Sequence, residues 1–134
     1  DTLSRYASSI GGTKVHPLCV MYPISTDEVA AILAKANEDA LKLFVISRGR
    51  NFGYGEAQGT QAGQVIIDLS RMDQIVEVNE QLAYATLQPG VSQQKMYEHL
   101  QAANSRLQLD VTCAGLDASI VGNNLIGAYR IHHT

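Results

Sequence analysis

One stretch of the chain, residues 47–55, carries the residue types that bind anions. Glycines at positions 49, 53 and 55 let the backbone turn through positive φ and approach a ligand closely. Arg48 and Arg50 add two guanidinium groups, which stay charged at neutral pH and serve neither as acid nor as base. Successive backbone N–H groups in such a turn form a concave anion site. This arginine loop therefore predicts a cradle that holds a phosphate group by position and charge.

The glycine spacing of the arginine loop matches neither of two common nucleotide-binding motifs. No Gly-Lys-Ser/Thr sequence closes it, as a P-loop requires, and its glycines are spaced wrongly for G-x-G-x-x-G. The sequence runs on towards Gly59 and Gly63 without opening an amphipathic helix, so we expect no helix dipole to be the main anion-binding device. On the residues alone, an ordinary surface turn explains the loop as well as a phosphate cradle does.

The elements before the arginine loop follow a strand, helix, strand pattern. A short strand is expected at residues 18–22, and Ser25 with Glu28 forms a capping box that predicts the start of a helix. The apolar face of that helix would consist of Val29, Ile32, Leu33 and Ala36. The run Leu43–Ile46 predicts a second strand. This order is the usual route to a parallel pair, so the arginine loop should leave the carboxyl end of a parallel strand, where ligands of α/β sheets bind.

After the arginine loop, the pattern changes to short strands with tight joins. Strands are expected at residues 65–69, 75–78, 83–87 and, more weakly, 107–110. Ser92 predicts a helix cap. The helix that follows would pack against the core through an apolar face made of Met96, Tyr97 and Leu100. Residues 112–118 form a small-residue loop, and residues 1–17 lack periodicity and are expected to form an irregular lead-in.

Composition and charge narrow the classes of partner. A chain of 134 residues with 46% apolar and 17% charged residues is typical of one soluble domain. The net charge of −3 argues against broad nucleic-acid binding, and no run approaches a membrane span or a signal sequence. We therefore expect no nucleic-acid or membrane partner and a cytoplasmic location. A periplasmic location is the alternative if a leader was removed before Asp1.

The cysteines and histidines do not form a metal-binding pattern. Cys19 and Cys113 are far apart in the sequence, and two buried free thiols are favoured over a disulfide. His16 and His99 are isolated, while the other two histidines stand together at residues 132 and 133. We therefore expect no metal site.

Several segments resemble the vanillyl-alcohol oxidase and p-cresol methylhydroxylase family. The arginine loop, Ser-Arg-Gly-Arg-Asn-Phe-Gly-Tyr-Gly, is similar to the flavin-diphosphate loop of that family. The segments at residues 65–72, 75–79 and 88–91 also look like family segments. Residues 118–123, Ala-Ser-Ile-Val-Gly-Asn, match the Ser-x-x-Gly-Asn flavin contact of the family. These segments occur in family order and at family spacing, so the resemblance covers most of the chain.

The resemblance implies an α+β fold of the PCMH-type FAD-binding class: a small α/β subdomain with parallel strands, followed by the start of a mixed or antiparallel sheet. Residues 18–123 would be the amino-terminal part of this domain, with FAD as the cofactor. The pyrophosphate would be held by the arginine loop, which comprises Ser47, Arg48, Gly49, Arg50, Asn51, Phe52, Gly53, Tyr54 and Gly55. The adenosine and flavin path would be lined by Pro89, Gly90, Val91, Gly115, Leu116 and Asp117. The ribityl and pyrimidine parts would be reached by Ser119, Gly122 and Asn123.

The activity that the resemblance implies is oxidation of para-substituted phenols or related alcohols. A hydride would pass to flavin N5, water would attack the resulting quinone methide, and oxygen or a cytochrome would reoxidise the flavin. The substrate-facing groups of the family lie in segments beyond this chain, so no catalytic residue is assigned. The alternative is a truncated module that binds FAD or a smaller nucleotide without turnover. Surface left uncovered on such a half-domain predicts self-association or a homo-oligomer.

Three departures from the family pattern affect these expectations. No histidine lies between residues 47 and 63, so we expect no covalent flavin link through this loop. Glu56 brings a negative charge next to a diphosphate and would weaken the site unless it points outward. Residues 124–134 lack the Arg-Gly-x-x-x-Thr-Pro segment of the family. Codons permitted for residues 126–134, read one base early, can encode Asn-Arg-Gly-Leu-Ser-Asp-Thr-Pro-His, and we hypothesise a shifted reading frame, which the nucleotide sequence tests.

Overall fold

A computed structural model of the chain describes residues 2–7, 12, 14–51, 55–110, 114–125 and 130–133. The strands are β1 (Cys19–Met21), β2 (Leu43–Ile46), β3 (Arg50–Asn51), β4 (Gly55–Glu56), β5 (Val65–Asp68), β6 (Ile75–Asn79), β7 (Tyr84–Leu87), β8 (Leu107–Asp110) and β9 (Arg130–His133). The α-helices are α1 (Thr26–Glu38), α2 (Gln93–Ala102) and α3 (Ile120–Asn124), and two 3-10 helices span Thr2–Tyr6 and Leu69–Arg71. The lead-in is thus more regular than its sequence indicates.

A three-stranded parallel sheet forms the first half of the fold, in the order β1, β5, β2. The sequence predicts β1 and β2 as a parallel pair, and they do run parallel, but β5 lies between them and pairs with both. All four residues of β5 are buried. The central position suits this strand because its side chains need cover on both faces, whereas an edge position would expose part of its apolar run.

Helix α1 packs against this sheet and begins where the sequence predicts. The Ser25 hydroxyl accepts a hydrogen bond from the backbone N–H of Glu28 at 3.2 Å. The Glu28 carboxylate reaches back to the N–H of Ile24 at 2.8 Å, one residue before the N-cap. Ala36 is buried and faces the sheet, but Leu33 is 46% exposed, so its predicted place on the apolar face is wrong.

Tyr6 of the lead-in packs on the opposite side of the sheet. Tyr6 is buried beside Ile46, Ala57 and Ile66. Its hydroxyl donates to Asp68 Oδ2 at 2.7 Å and lies 2.8 Å from the hydroxyl of Tyr22. Asp68 is fully buried, and its Oδ1 accepts the N–H of Ser70 at 2.9 Å. Hydrogen bonds to both carboxylate oxygens offset the free-energy cost of burying this side chain.

Burial raises the pKa of the Tyr6 hydroxyl above its ordinary value of 10.0, and the hydrogen bonds with Tyr22 and Asp68 raise it further. A raised pKa means that the folded state favours the protonated hydroxyl. The contribution of Tyr6 to the stability of the fold is therefore complete below pH 10.0 and is lost as the pH rises above that value. We expect Tyr6→Phe to lower the free energy of unfolding by about 1–3 kcal/mol at neutral pH, because Asp68 loses a donor.

Urea unfolding of the wild-type chain and Tyr6→Phe at neutral pH and at about pH 11 measures this alkaline sensitivity. The wild-type chain should lose more stability between the two pH values than Tyr6→Phe, which has no hydroxyl to ionise. Tyr97→Phe, at a position that is 60% exposed, should behave as the wild type does. Equal alkaline losses in the wild type and Tyr6→Phe would contradict the role given to Tyr6.

The second half of the fold packs a helix against short antiparallel strands. Strands β6 and β7 form the predicted hairpin, and β8 pairs antiparallel with β9. Ser92 caps α2, as predicted, by accepting a hydrogen bond from the N–H of Lys95 at 3.1 Å. The core of this half consists of Val91, Met96, Leu100, Leu107 and Ile120.

Tyr97 does not share the buried face of α2. Met96 is fully buried and Leu100 is 4% exposed, whereas Tyr97 is 60% exposed. Residues four apart lie on one face of a helix, but the next residue along lies about 100° around the axis. The predicted Met/Tyr/Leu core face is therefore wrong for the tyrosine alone.

Parallel and antiparallel strands with a few helices confirm the predicted α+β class. Helices in the described part of the chain are all too short or too polar to cross a bilayer. Cys19 is a half-buried free thiol, and Cys113 lies outside the described residues.

Candidate functional site

The candidate site is a groove of about 280 Å³ that begins where β2 ends. The arginine loop leaves the carboxyl end of this parallel strand, as the sequence predicts. Within the described residues no helix follows the loop directly, and β3 pairs antiparallel with β4 instead. The groove is lined by Phe44, Val45, Ile46, Ser47, Arg48, Gly49, Arg50, Glu56, Gln58, Ser119, Gly122, Asn123 and Leu125.

Two glycines allow the walls of the groove to approach one another. A Cβ added at Gly122 would lie 3.0 Å from the Ser47 Oγ and 3.2 Å from its Cβ. Gly49 has φ of +59°, and a Cβ there would lie 2.8 Å from the Cα of Ala57. The backbone of α3 at Gly122 therefore packs directly against the Ser47 side chain, and the arginine loop at Gly49 packs against Ala57. Neither position has room for a side chain.

Arg48 connects the arginine loop to two other turns. Its Nη1 donates to the carbonyl oxygen of Gly90 at 3.0 Å, and its Nε donates to the carbonyl oxygen of Asp117 at 2.8 Å. Its Nη2 donates to the Asp117 carboxylate. The Arg48 side chain is only 22% exposed. A guanidinium is suited to this task because its planar fork directs several donors at once.

Asp117 pairs with both arginines of the loop. One carboxylate oxygen accepts from Arg48 Nη2, and the other lies 3.1 Å from Arg50 Nε. Arg50 and Asp117 are about half exposed, with side-chain exposures of 48% and 52%. Water screens such a pair, so its net contribution to stability is small. Arg50 is therefore held more loosely than Arg48.

The turn at residues 89–91 is hydrogen-bonded to the start of α3, which lines the groove. Ser119 Oγ donates to the carbonyl oxygen of Pro89 at 2.6 Å and accepts the N–H of Gly122 at 3.0 Å. The N–H of Ile120 donates to the carbonyl oxygen of Val91 at 3.1 Å. Ser119 is thus the N-cap of α3.

The structure brings seven of the proposed cofactor-binding residues together in the lining of the groove: Ser47, Arg48, Gly49, Arg50, Ser119, Gly122 and Asn123. The backbones of Asn51 and Gly55 lie in the β3–β4 ladder, and Phe52, Gly53 and Tyr54 fall outside the described residues.

The remaining proposed positions lie beside the groove. Pro89 and Gly90 contribute carbonyl oxygens to Ser119 and Arg48, and the Val91 side chain is fully buried in the core. Gly115 and Leu116 are exposed in the turn before α3. Asp117 contacts the arginines, although the sequence had placed it only in the adenosine and flavin path.

Several groove residues were not proposed from the sequence. Phe44, Val45 and Ile46 line the groove although the sequence indicates only a buried strand there, and Gln58 and Leu125 give no sequence signal. Glu56 also lines the groove and lies opposite Arg50 in the β3–β4 ladder. Opposed residues in a ladder carry their side chains on the same face, so this carboxylate adds negative charge near Arg50.

The side chains that line the groove are of the types that bind a ligand. It combines two guanidinium groups, close backbone contacts through glycine and an apolar wall from β2 and Leu125. Among the described residues, no three His, Cys, Asp or Glu side chains are grouped to hold a metal ion. These features fit a cofactor with a charged phosphate portion and a flat apolar portion.

The fold and the groove define a domain suited to a phosphate-containing cofactor. The sequence profile of the FAD binding domain family matches residues 17–132, which is most of the chain. The chain belongs to this family, and FAD is its cofactor.

Individual relatives support this assignment. The chain is 34% identical over 109 residues to the 4-cresol dehydrogenase (hydroxylating) flavoprotein subunit of Pseudomonas putida, covering 81% of this chain and 21% of that protein. It is 38% identical over 104 residues to 1'-carboxy-chondrochloren decarboxylase of Chondromyces crocatus, covering 78% of this chain and 19% of that protein. The structure of p-cresol methylhydroxylase with substrate bound superposes with a TM-score of 0.87 at 31% identity, covering 93% of this chain and 25% of that one.

The chain spans about a fifth of the length of these curated relatives. Their names describe different reactions, a dehydrogenation with hydroxylation and a decarboxylation. Membership therefore establishes the FAD binding domain family, and it leaves the reaction and the substrate to be argued separately.

Proposed function

We propose that this chain is the FAD-binding part of an oxidoreductase of the vanillyl-alcohol oxidase type that oxidises para-substituted phenols or related alcohols. The 34% identity to a 4-cresol dehydrogenase subunit and the structural likeness to p-cresol methylhydroxylase support this substrate class. Fold likeness alone would be a weaker argument, since one fold serves many reactions.

The observation that carries the proposal is the meeting of three separate segments at one groove. The arginine loop, the turn at residues 89–91 and the start of α3 are joined by hydrogen bonds from Arg48 and Ser119. Because these bonds form within the protein, the walls of the groove are arranged before a ligand binds. Such preorganisation favours affinity by lowering the ordering cost of binding.

The residues of the groove take distinct roles in this proposal. Arg50 offers positive charge to the diphosphate, while Arg48 holds the surrounding turns in place. Ser119, Gly122 and Asn123 let α3 approach the cofactor closely. Phe44, Val45 and Leu125 provide an apolar wall that excludes water from one side. When bound, FAD supplies the two-electron acceptor to which a hydride from the substrate is transferred.

Reduction by a phenol tests the substrate class. The full protein that contains this FAD-binding part is loaded with FAD, freed of excess cofactor and mixed with p-cresol without oxygen. We expect the visible flavin absorption to fade, because the oxidised ring system is lost on reduction. Toluene is the matched control, since it has the same methyl-substituted ring without the phenol hydroxyl.

Two other outcomes have separate meanings. Flavin that stays bound and oxidised with p-cresol would contradict the proposed phenol oxidation and favour a flavin- or nucleotide-binding module without turnover. Fading with toluene at the same rate would contradict the need for a phenol.

A further inference from the structure

Asp117 places a carboxylate where an anionic ligand of the arginine loop would also bind. Its two oxygens contact Arg48 Nη2 and Arg50 Nε, the latter at 3.1 Å. Carboxylate and phosphate oxygens are interchangeable acceptors for a guanidinium group. Arg50 therefore already has an internal anion before any diphosphate arrives.

The two arginines depend on Asp117 to different degrees. Arg48 also donates to the carbonyl oxygens of Gly90 and Asp117, at 3.0 and 2.8 Å, and its side chain is 22% exposed. Arg50 is 48% exposed and contacts Asp117 through Nε. Breaking the Arg50 contact costs little because both groups can be hydrated. Breaking the Arg48 contacts would leave two backbone carbonyls without their donor.

The charges around the groove are nearly balanced. Arg5, whose Nη2 donates to the Arg48 carbonyl oxygen at 2.7 Å, adds a third positive group to those of Arg48 and Arg50. Asp117 and Glu56 supply two negative groups. The positive groups exceed the negative groups by one charge, so a diphosphate meets only a weak net attraction here.

We propose that Asp117 is an internal competitor of the diphosphate: Arg50 exchanges from Asp117 to the phosphate oxygens on cofactor binding, while Arg48 stays fixed. This inference rests on the proposed FAD-binding function. No bond is made or broken apart from hydrogen bonds. The consequence is that Asp117 lowers the affinity for every diphosphate ligand of the groove and keeps Arg50 paired until one binds.

Asp117→Asn is the sharpest test, because the shape of the side chain is kept. The amide oxygen can still accept from Arg48, but the amide nitrogen cannot accept from Arg50 Nε. We expect inorganic pyrophosphate and FAD to bind about twofold to fivefold more tightly to Asp117→Asn than to the wild type, by titration calorimetry at low salt. Adenosine, which has no phosphate, should bind both proteins equally.

A double-mutant cycle with Arg50→Gln separates two effects of Asp117→Asn on affinity: the release of Arg50 and the loss of one negative charge near the ligand. In the Arg50→Gln background, Asp117→Asn should bring a clearly smaller gain, because Arg50 is no longer there to exchange and only the loss of one negative charge remains. A gain of the same size in that background, or equal or weaker FAD binding by Asp117→Asn, would overturn the inference while leaving FAD binding intact. Absence of FAD binding in the wild type and all variants would overturn the proposed function and the inference together.

Discussion

Replacing Gly90 with alanine is expected to lower the free energy of unfolding by about 2–4 kcal/mol. A Cβ at this position would lie 2.5 Å from the carbonyl oxygen of Leu69, 2.7 Å from that of Met72 and 2.8 Å from that of Ser70. All three are backbone atoms, so no side-chain rotation can relieve the overlap. The N–H of Gly90 also donates to the Met72 carbonyl at 2.7 Å, which fixes the glycine against this turn.

Gly115→Ala is the matched control for this substitution. A Cβ at Gly115 meets nothing within 4 Å, so the same chemical change should alter stability by less than about 0.5 kcal/mol. Urea unfolding of the two variants and the wild type measures the difference. If Gly90→Ala were as stable as Gly115→Ala, the close packing of the 3-10 helix Leu69–Arg71 on this turn would be wrong.

Replacing Arg48 with methionine is expected to weaken FAD binding by at least about 30-fold. Methionine keeps an unbranched, flexible side chain but removes the donors that hold the carbonyl oxygens of Gly90 and Asp117. Each charged hydrogen bond of this kind contributes about 1.5–3 kcal/mol, and Arg48 is mostly shielded from water. Without them, two of the three segments that meet at the groove lose their connection to the arginine loop.

Lys42→Met is the control for loss of one positive charge. Lys42 is exposed, and its ammonium donates to Gln61 at 2.8 Å, outside the lining of the groove. Its replacement should change FAD affinity by less than about twofold, because solvent screens a distant exposed charge. Calorimetric titration with FAD compares the two variants. Equal losses in both would mean that Arg48 contributes only net charge and does not hold the turns together.

Local features of this fold could be predicted from the sequence with good accuracy. Ser25 and Ser92 were predicted as helix caps, and each accepts the expected backbone hydrogen bond. The hairpin of β6 and β7 and the exit of the arginine loop from β2 were also predicted. These features depend on residues within a few positions of one another, so the sequence pattern contains them directly.

The features that could not be predicted depend on distant residues. Arg48 meets Asp117 across 69 positions, and Tyr6 meets Asp68 across 62. No spacing rule connects such residues, because the connection is made by the packing of whole segments. The central place of β5 in the sheet has the same origin, since its two partners come earlier in the chain.

The sequence indicated residues of the candidate site, but it did not indicate the contacts that they make with one another. Resemblance to a family indicated the arginine loop and the segment with Ser119, Gly122 and Asn123, and the structure places residues 47–50 of the loop and these three residues at one groove. The same reasoning assigned both arginines to the diphosphate, which stays a prediction. The structure adds that Arg48 is bonded to backbone carbonyls and that both arginines pair with Asp117. The charge of a residue is visible in a sequence, but the acceptor that it meets is not.

The most direct test of the central claim, that this groove holds FAD, is the visible absorption spectrum of the purified protein before and after FAD is added and the excess removed. We predict a retained flavin spectrum in the wild type that is much weaker in Arg48→Met and unchanged in Lys42→Met. A colourless wild-type protein that is folded by circular dichroism would contradict the claim. A spectrum retained equally by Arg48→Met would place the flavin elsewhere on the chain.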